Sequence, residues 1–237
     1  RELGFEWWIE RLRTQASLTD QLRLDHFRGF LAYWRVPAAA SDARDGRWAR
    51  GPGRRLFTAV AAELPELSLI AEDLGLITPA VHRLRRRLGL PGMKVLQFGF
   101  GEVDSDHLPH HYEARCVVYT GTHDNDTLSG WFDTLDRDAR RRVLDHLGLR
   151  EPVRSLEVSW HLIRVAMESV AELAIVPLQD VLGLGSEGRM NTPGTVYGNW
   201  RWRMTAGALD DSLIERLRRL VRLSGRLGDH GATTRSE

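Results

Sequence analysis

Cysteine is nearly absent from this chain: Cys116 stands alone among 237 residues. A single thiol excludes an internal disulfide framework, and its place in the apolar run 116–119 marks it as a small packed hydrophobe rather than a nucleophile. A reducing, cytoplasmic compartment is the simplest expectation. Lysine is as scarce, with Lys94 the only one, so the basic residues are almost all arginine. The 33 Lys and Arg stand against 32 Asp and Glu, leaving a net charge of +1. That balance gives no field to steer a polyanion, which argues against a nucleic-acid partner. No apolar run approaches the roughly 20 residues of a membrane span, and residues 1–10 lack the layout of a signal peptide. Low-complexity linkers and internal repeats are missing too. One domain is therefore expected over residues 1–228, with 229–237 as a disordered tail.

What is present is a rhythm. Hydrophobic residues make up 42% of the chain, enough for a sizeable core, and short apolar runs alternate with longer amphipathic stretches in the pattern of β/α units. Five strands are expected, at 21–24, 67–71, 94–98, 117–120 and 171–177. Thr78 as N-cap, Pro79 at the first helical position and Gly89 after a run of helix formers bracket one helix. Leu156, Trp160, Ile163, Met167 and Val170 recur at helical spacing and should face a sheet. Residues 211–227 form an amphipathic helix. Five such units follow the rhythm of an eight-stranded barrel without closing one, so the chain is expected to begin after the first three.

In barrels of this kind, chemistry sits at the C-terminal ends of the strands. An acid just beyond an apolar run therefore outweighs one in mid-helix, and Asp25, Glu72 and Asp124 all meet that test. Retaining glycoside chemistry needs one ionised carboxylate and one protonated carboxyl about 5–5.5 Å apart. Side chains alternate along a strand, so Arg23 and Asp25 point the same way and the guanidinium favours a nucleophilic carboxylate at Asp25. Glu72 follows the nearly uncharged segment 67–71, a setting that suits a general acid. Asp124 is placed to stabilise positive charge in the transition state, with His123 beside it.

The segment Arg23-Leu24-Asp25-His26-Phe27-Arg28-Gly29-Phe30 resembles the nucleophile strand of the 4-α-glucanotransferases, the amylomaltase or disproportionating-enzyme family (glycoside hydrolase family 77). Residues 70–75 resemble that family's acid/base strand and 119–127 its third-carboxylate strand. Matching stretches at 5–9, 51–53, 90–98, 107–110 and 183–203 follow in the same order. The resemblance implies an α/β fold, a (β/α)8 TIM barrel of the α-amylase clan represented here by about its last five units. It implies retaining transfer of α-1,4-glucan segments between maltooligosaccharides or glucans through a glycosyl-Asp intermediate, with no metal or organic cofactor. It further implies Asp25 as nucleophile, Glu72 as acid/base and Asp124 as stabiliser, with Arg23 and His123 in the donor subsite. Gly51 and Gly53 resemble part of a glucan-binding loop, and Asn191, Asn199 and Trp200 fall in the loop after the last strand. The missing N-terminal barrel portion is expected to be needed for activity.

Other signals are weaker. Most of the eight tryptophans are expected to fill cores, and Trp7 and Trp8, being adjacent, cannot face the same way. His107, His110 and His111 lack a carboxylate at ligand spacing and are expected to be structural rather than metal-binding. The stretch 183–188 resembles a phosphate loop but lacks its Gly-Lys-Ser/Thr ending. The arginine clusters at 83–87 and 140–142 are expected on solvated helix faces. Two other functions use the same residues: an α-glucan hydrolase, in which water replaces the acceptor sugar, and a non-catalytic glucan-binding fragment.

Overall fold

The computed structural model describes residues 4–101 and 104–228; the expected tail at 229–237 lies outside the described residues. Contacts group the chain into two compact units, Arg1–Met93 and Lys94–Glu237. The division falls inside a strand, so composition gives no sign of it.

In the first unit, helix α1 (Glu6–Ala16) leads into strand β1 (Gln21–Leu24), and strands β2 (Ala32–Arg35) and β3 (Arg47–Arg50) form an antiparallel hairpin with Trp34 opposite Trp48. Helix α2 (Arg54–Glu63), strand β4 (Ser68–Ala71) and helix α3 (Pro79–Arg87) follow. Strand β4 lies parallel to β1, with Gln21 paired to Ser68 and Leu24 to Ala71. Their core holds Ile9, Phe27, Leu56, Val60, Leu69 and Val81. The hairpin is not among the expected strands. Pro79 opens α3 as expected and Gly89 leaves it at φ +67°, but the Thr78 hydroxyl makes no capping hydrogen bond. Arg85, expected on a solvated face, is buried and pairs with Asp73 at 2.9 Å.

Strand β5 (Gly92–Val95) carries the division between the units. It starts and ends earlier than the expected 94–98, because residues 96–100 curl into a 3-10 turn and bury Gln97, whose amide donates to the Asp126 carbonyl at 2.8 Å. The second unit continues with strand β6 (Cys116–Tyr119), helices α4 (Leu128–Thr134), α5 (Arg137–Leu147) and α6 (Ser155–Glu168), strand β7 (Leu173–Ile175), helix α7 (Leu178–Leu182) and helix α8 (Asp211–Leu223). The sheet runs β5-β6-β7, with β6 and β7 parallel. Its core gathers Leu96, Val118, Phe132, Leu162 and Ile163, with Cys116 packed among them as expected. Helix α6 lies chiefly against α4, where the Ser129 and Ser159 hydroxyls meet at 2.9 Å. Of the stripe expected to face a sheet, Trp160 and Ile163 join the core that holds Cys116 and Val118 of β6, while its ends, Leu156 and Val170, are exposed. Helix α8 stops at Leu223 because Gly225 turns left-handed at φ +67°. Among the described residues no helix is long and apolar enough to cross a membrane.

Candidate active site

The parallel ladder of β1 and β4 continues one residue beyond each strand. Glu72 N–H donates to the Leu24 carbonyl and Phe27 N–H to the Glu72 carbonyl, both at 3.0 Å. This register carries Asp25 and Glu72 to neighbouring places past the strand ends, and paired residues on parallel strands point to the same side. Arg23 reaches Asp25 with Nη1 3.3 Å from Oδ1, as the two-residue period predicts, and Asp25 keeps 78% of its side chain open to solvent. Glu72 is held more tightly: Oε2 accepts the His26 backbone N–H at 2.5 Å and Oε1 accepts that of Leu74 at 2.9 Å. To present its N–H to Glu72, His26 adopts a left-handed backbone, φ +48°, a cost of roughly 1–2 kcal/mol for a residue other than glycine. The next acid behaves oppositely. Asp73 turns inward to Arg85 and to the Met93 N–H, 2.8 Å from its Oδ1.

Gly51 and Gly53 lie between the hairpin and α2. Their N–H groups donate to the Leu31 and Phe30 carbonyls at 2.9 and 2.8 Å, and a Cβ on Gly51 would sit 2.3 Å from the Phe30 oxygen. Gly51 thus has a steric reason to be glycine, and Gly53 a conformational one, its φ of +53°. The hairpin beside them exposes Tyr33, Trp34 and Trp48, and the Arg28 guanidinium stacks 4.6 Å over the Trp48 ring.

In the second unit, Asp124 stands in the loop after β6. Its Oδ1 accepts from Asn191 Nδ2 at 2.6 Å, its carbonyl accepts from Arg189 at 2.7 Å, and His123 Nε2 lies 3.5 Å from Oδ2. The Trp200 ring packs 5.1 Å from that of His123 and stays half exposed. Trp200 is left-handed at φ +61°, held by its N–H to the Met190 carbonyl at 2.6 Å. Asn199 does not join this cluster. Its amide closes the turn 192–199, accepting from Thr192 N–H at 2.9 Å and donating to the Thr195 carbonyl at 3.1 Å.

Sequence reasoning missed Asp180. Only 1% exposed, it accepts the Thr120 hydroxyl and the Leu128 N–H, each at 2.7 Å, tying the end of β6 to the start of α4. Burial pushes its carboxyl up to about 6; the two hydrogen bonds oppose the shift and the charge of Asp126 adds to it. Asp180 borders a cavity of about 140 Å³ together with Thr122, His123, Asn125, Asp126 and Gln179. The test applied to the other acids does not select Asp180, which stands five residues beyond Ile175 and inside helix α7.

The family model described as 4-alpha-glucanotransferase matches residues 1–209. A chloroplastic/amyloplastic 4-alpha-glucanotransferase of Arabidopsis thaliana is 48% identical over 227 residues, covering 94% of this chain and 39% of the relative. That of Thermus thermophilus is 48% identical over 230 residues, covering 94% and 46%. Among solved structures, the amylomaltase from Streptococcus agalactiae in complex with acarbose superposes with a TM-score of 0.88 at 34% identity, over 95% of this chain and 45% of that one. The chain thus spans less than half the length of each of these proteins, and across the span they share it is a member of the 4-alpha-glucanotransferase family.

Proposed function

We propose that this chain carries the reacting carboxylates of a 4-α-glucanotransferase, which moves α-1,4-glucan segments from a donor maltooligosaccharide to the 4-hydroxyl of an acceptor sugar with retention of configuration. The observation that carries the proposal is the pair Asp25 and Glu72, set side by side past two parallel strands, with Arg23 on the first and two backbone N–H groups on the second. Asp25 attacks the anomeric carbon while Glu72 protonates the departing glycosidic oxygen. Glu72, now a base, then takes the proton of the acceptor hydroxyl as that oxygen displaces Asp25. Asp124, fixed by Asn191 and Arg189, offers negative charge to an oxocarbenium-like transition state. Arg23, His123 and Trp200 supply polar and aromatic contacts to sugar, and Gly51 and Gly53 let the hairpin with its exposed aromatics approach. Asn199 shapes the turn before Trp200. The reaction as assigned uses no cofactor. The β/α units are those of a (β/α)8 barrel, of which this chain contributes about five, so the activity is assigned to a polypeptide that includes the remaining strands. A cytoplasmic setting suits a chain with one buried thiol.

The test is a chimera in which this chain replaces the matching segment of the Thermus thermophilus relative, incubated with maltotriose and followed by chromatography. The expected result is a ladder of longer maltooligosaccharides with released glucose, reduced at least a thousandfold by Asp25→Asn. Glucose and maltose alone would make the chain part of a hydrolase. Undiminished transfer by the Asp25→Asn chimera would overturn the nucleophile assignment.

A further inference from the structure

We propose that Asp104, His110 and His111 form a surface site for a divalent transition-metal ion of the Zn²⁺ class, separate from the glucan chemistry. One donor atom from each residue lies within 4.8 Å of the other two, and all three side chains are exposed. Asp104 supplies the carboxylate whose absence at ligand spacing spoke against a metal in the sequence; the loop brings it to His111 across seven residues.

The hydrogen bonds of His111 carry the inference. Its Nδ1 lies 3.0 Å from the Ser105 carbonyl oxygen. That oxygen only accepts, so Nδ1 holds the ring hydrogen and Nε2 is the atom left to bind. Nε2 in turn lies 3.3 Å from Asp104 Oδ1. In this tautomer the Nε2 lone pair faces a carboxylate oxygen, so a cation between them would take both as ligands. A backbone carbonyl on Nδ1–H is also the device that orients metal-bound imidazoles. His110 adds a second imidazole, its ring centroid 4.2 Å from that of His111. Two imidazoles and one carboxylate suit Zn²⁺, Ni²⁺ or Cu²⁺ and are a poor match for Mg²⁺ or Ca²⁺, which prefer oxygen ligands. Donor atoms around tetrahedral zinc lie about 3.4 Å apart, so a rotamer-scale movement of exposed side chains closes the site.

The backbone beneath is already fixed. Ser105 Oγ donates to the Phe98 carbonyl, and Ser105 O also accepts the Leu108 N–H at 2.9 Å. The Tyr112 hydroxyl donates to the His107 carbonyl at 2.8 Å, and His107 Nδ1 accepts the Val95 N–H at 3.1 Å. His107, the third histidine of the group, is thereby a structural anchor.

The experiment is calorimetric titration of the folded chain with Zn²⁺, repeated with Co²⁺ while watching its d–d absorption. Asp104→Asn and His111→Asn are compared with His161→Asn as a control for adventitious histidine binding, each first checked by far-UV circular dichroism. The expected result is one saturable equivalent, weakened at least tenfold by either substitution in the site, unchanged by His161→Asn and not displaced by millimolar Mg²⁺. Absence of saturable binding, binding that survives both site substitutions, or equal loss in the His161 variant would overturn the site.

Discussion

Glu72 and Asp73 are neighbours in the chain and opposites in their surroundings. Asp73 and Arg85 are both nearly sealed from water and 2.9 Å apart. Asp73→Ala would leave the guanidinium buried without this partner, so it is expected to cost about 3–5 kcal/mol, read as a lower urea midpoint. Asp180 gives a prediction in pH. Its carboxyl is raised from 3.8 to about 6 by burial, so between those values the folded chain binds a proton that the unfolded chain has released. Its contribution is complete below about pH 4 and is lost as pH rises through 6. Asp180→Asn removes this dependence. Relative to the unaltered chain, the variant should gain about 3 kcal/mol between pH 4 and pH 7, measured by denaturant titration at both ends. What could be read from the sequence at this scale was whatever depends on near neighbours. Arg23 and Asp25 meet because side chains two apart on a strand share a face. The burial of Arg85 depends on a carboxylate twelve residues away, and an arginine-rich helix gives no sign of which arginine turns inward.

Among the elements, the parallel strands were legible and the hairpin was not. Strands β4, β6 and β7 are apolar runs and β1 alternates polar with apolar as Gln-Leu-Arg-Leu, whereas β2 and β3 read Ala-Tyr-Trp-Arg and Arg-Trp-Ala-Arg, too short and too mixed to show a period. They are recognised only by pairing with each other. β5 was misplaced because hydrophobicity continues past Val95 and nothing local announces the 3-10 turn. The hairpin's attachment is testable through Gly51. A Cβ there meets backbone, the Phe30 carbonyl, instead of a side chain that could swing aside. Gly51→Ala should therefore cost at least 1–3 kcal/mol, and in the chimera transfer should fall with it, while an alanine at Gly148, where a Cβ meets nothing within 4 Å, should show only the smaller penalty of its left-handed backbone.

For the molecule as a whole, the ordered succession of motifs was enough to indicate the family, because each motif couples a strand end to the loop that follows. The two-unit organisation was not, since the division falls within a strand and leaves no mark in composition. Each unit has its own core, and a cavity in either can be made separately. Leu56→Ala in the first and Ile163→Ala in the second are each expected to cost 2–5 kcal/mol, and hydrogen exchange followed by mass spectrometry should show where each cavity loosens the structure. The ladder between β1 and β4 has one more consequence. Backbone hydrogen bonds set the spacing of Asp25 and Glu72; on the two strands Arg23 pairs with Asp25, Gln21 donates to the Ser68 hydroxyl, and the remaining side chains contribute apolar bulk. Their identities are thus free to drift among residues of similar shape without moving the carboxylates. The chain differs from the Arabidopsis thaliana protein at about half of the aligned positions, and Asp25 and Glu72 sit on a frame that tolerates such divergence: mutational robustness here resides in the main chain.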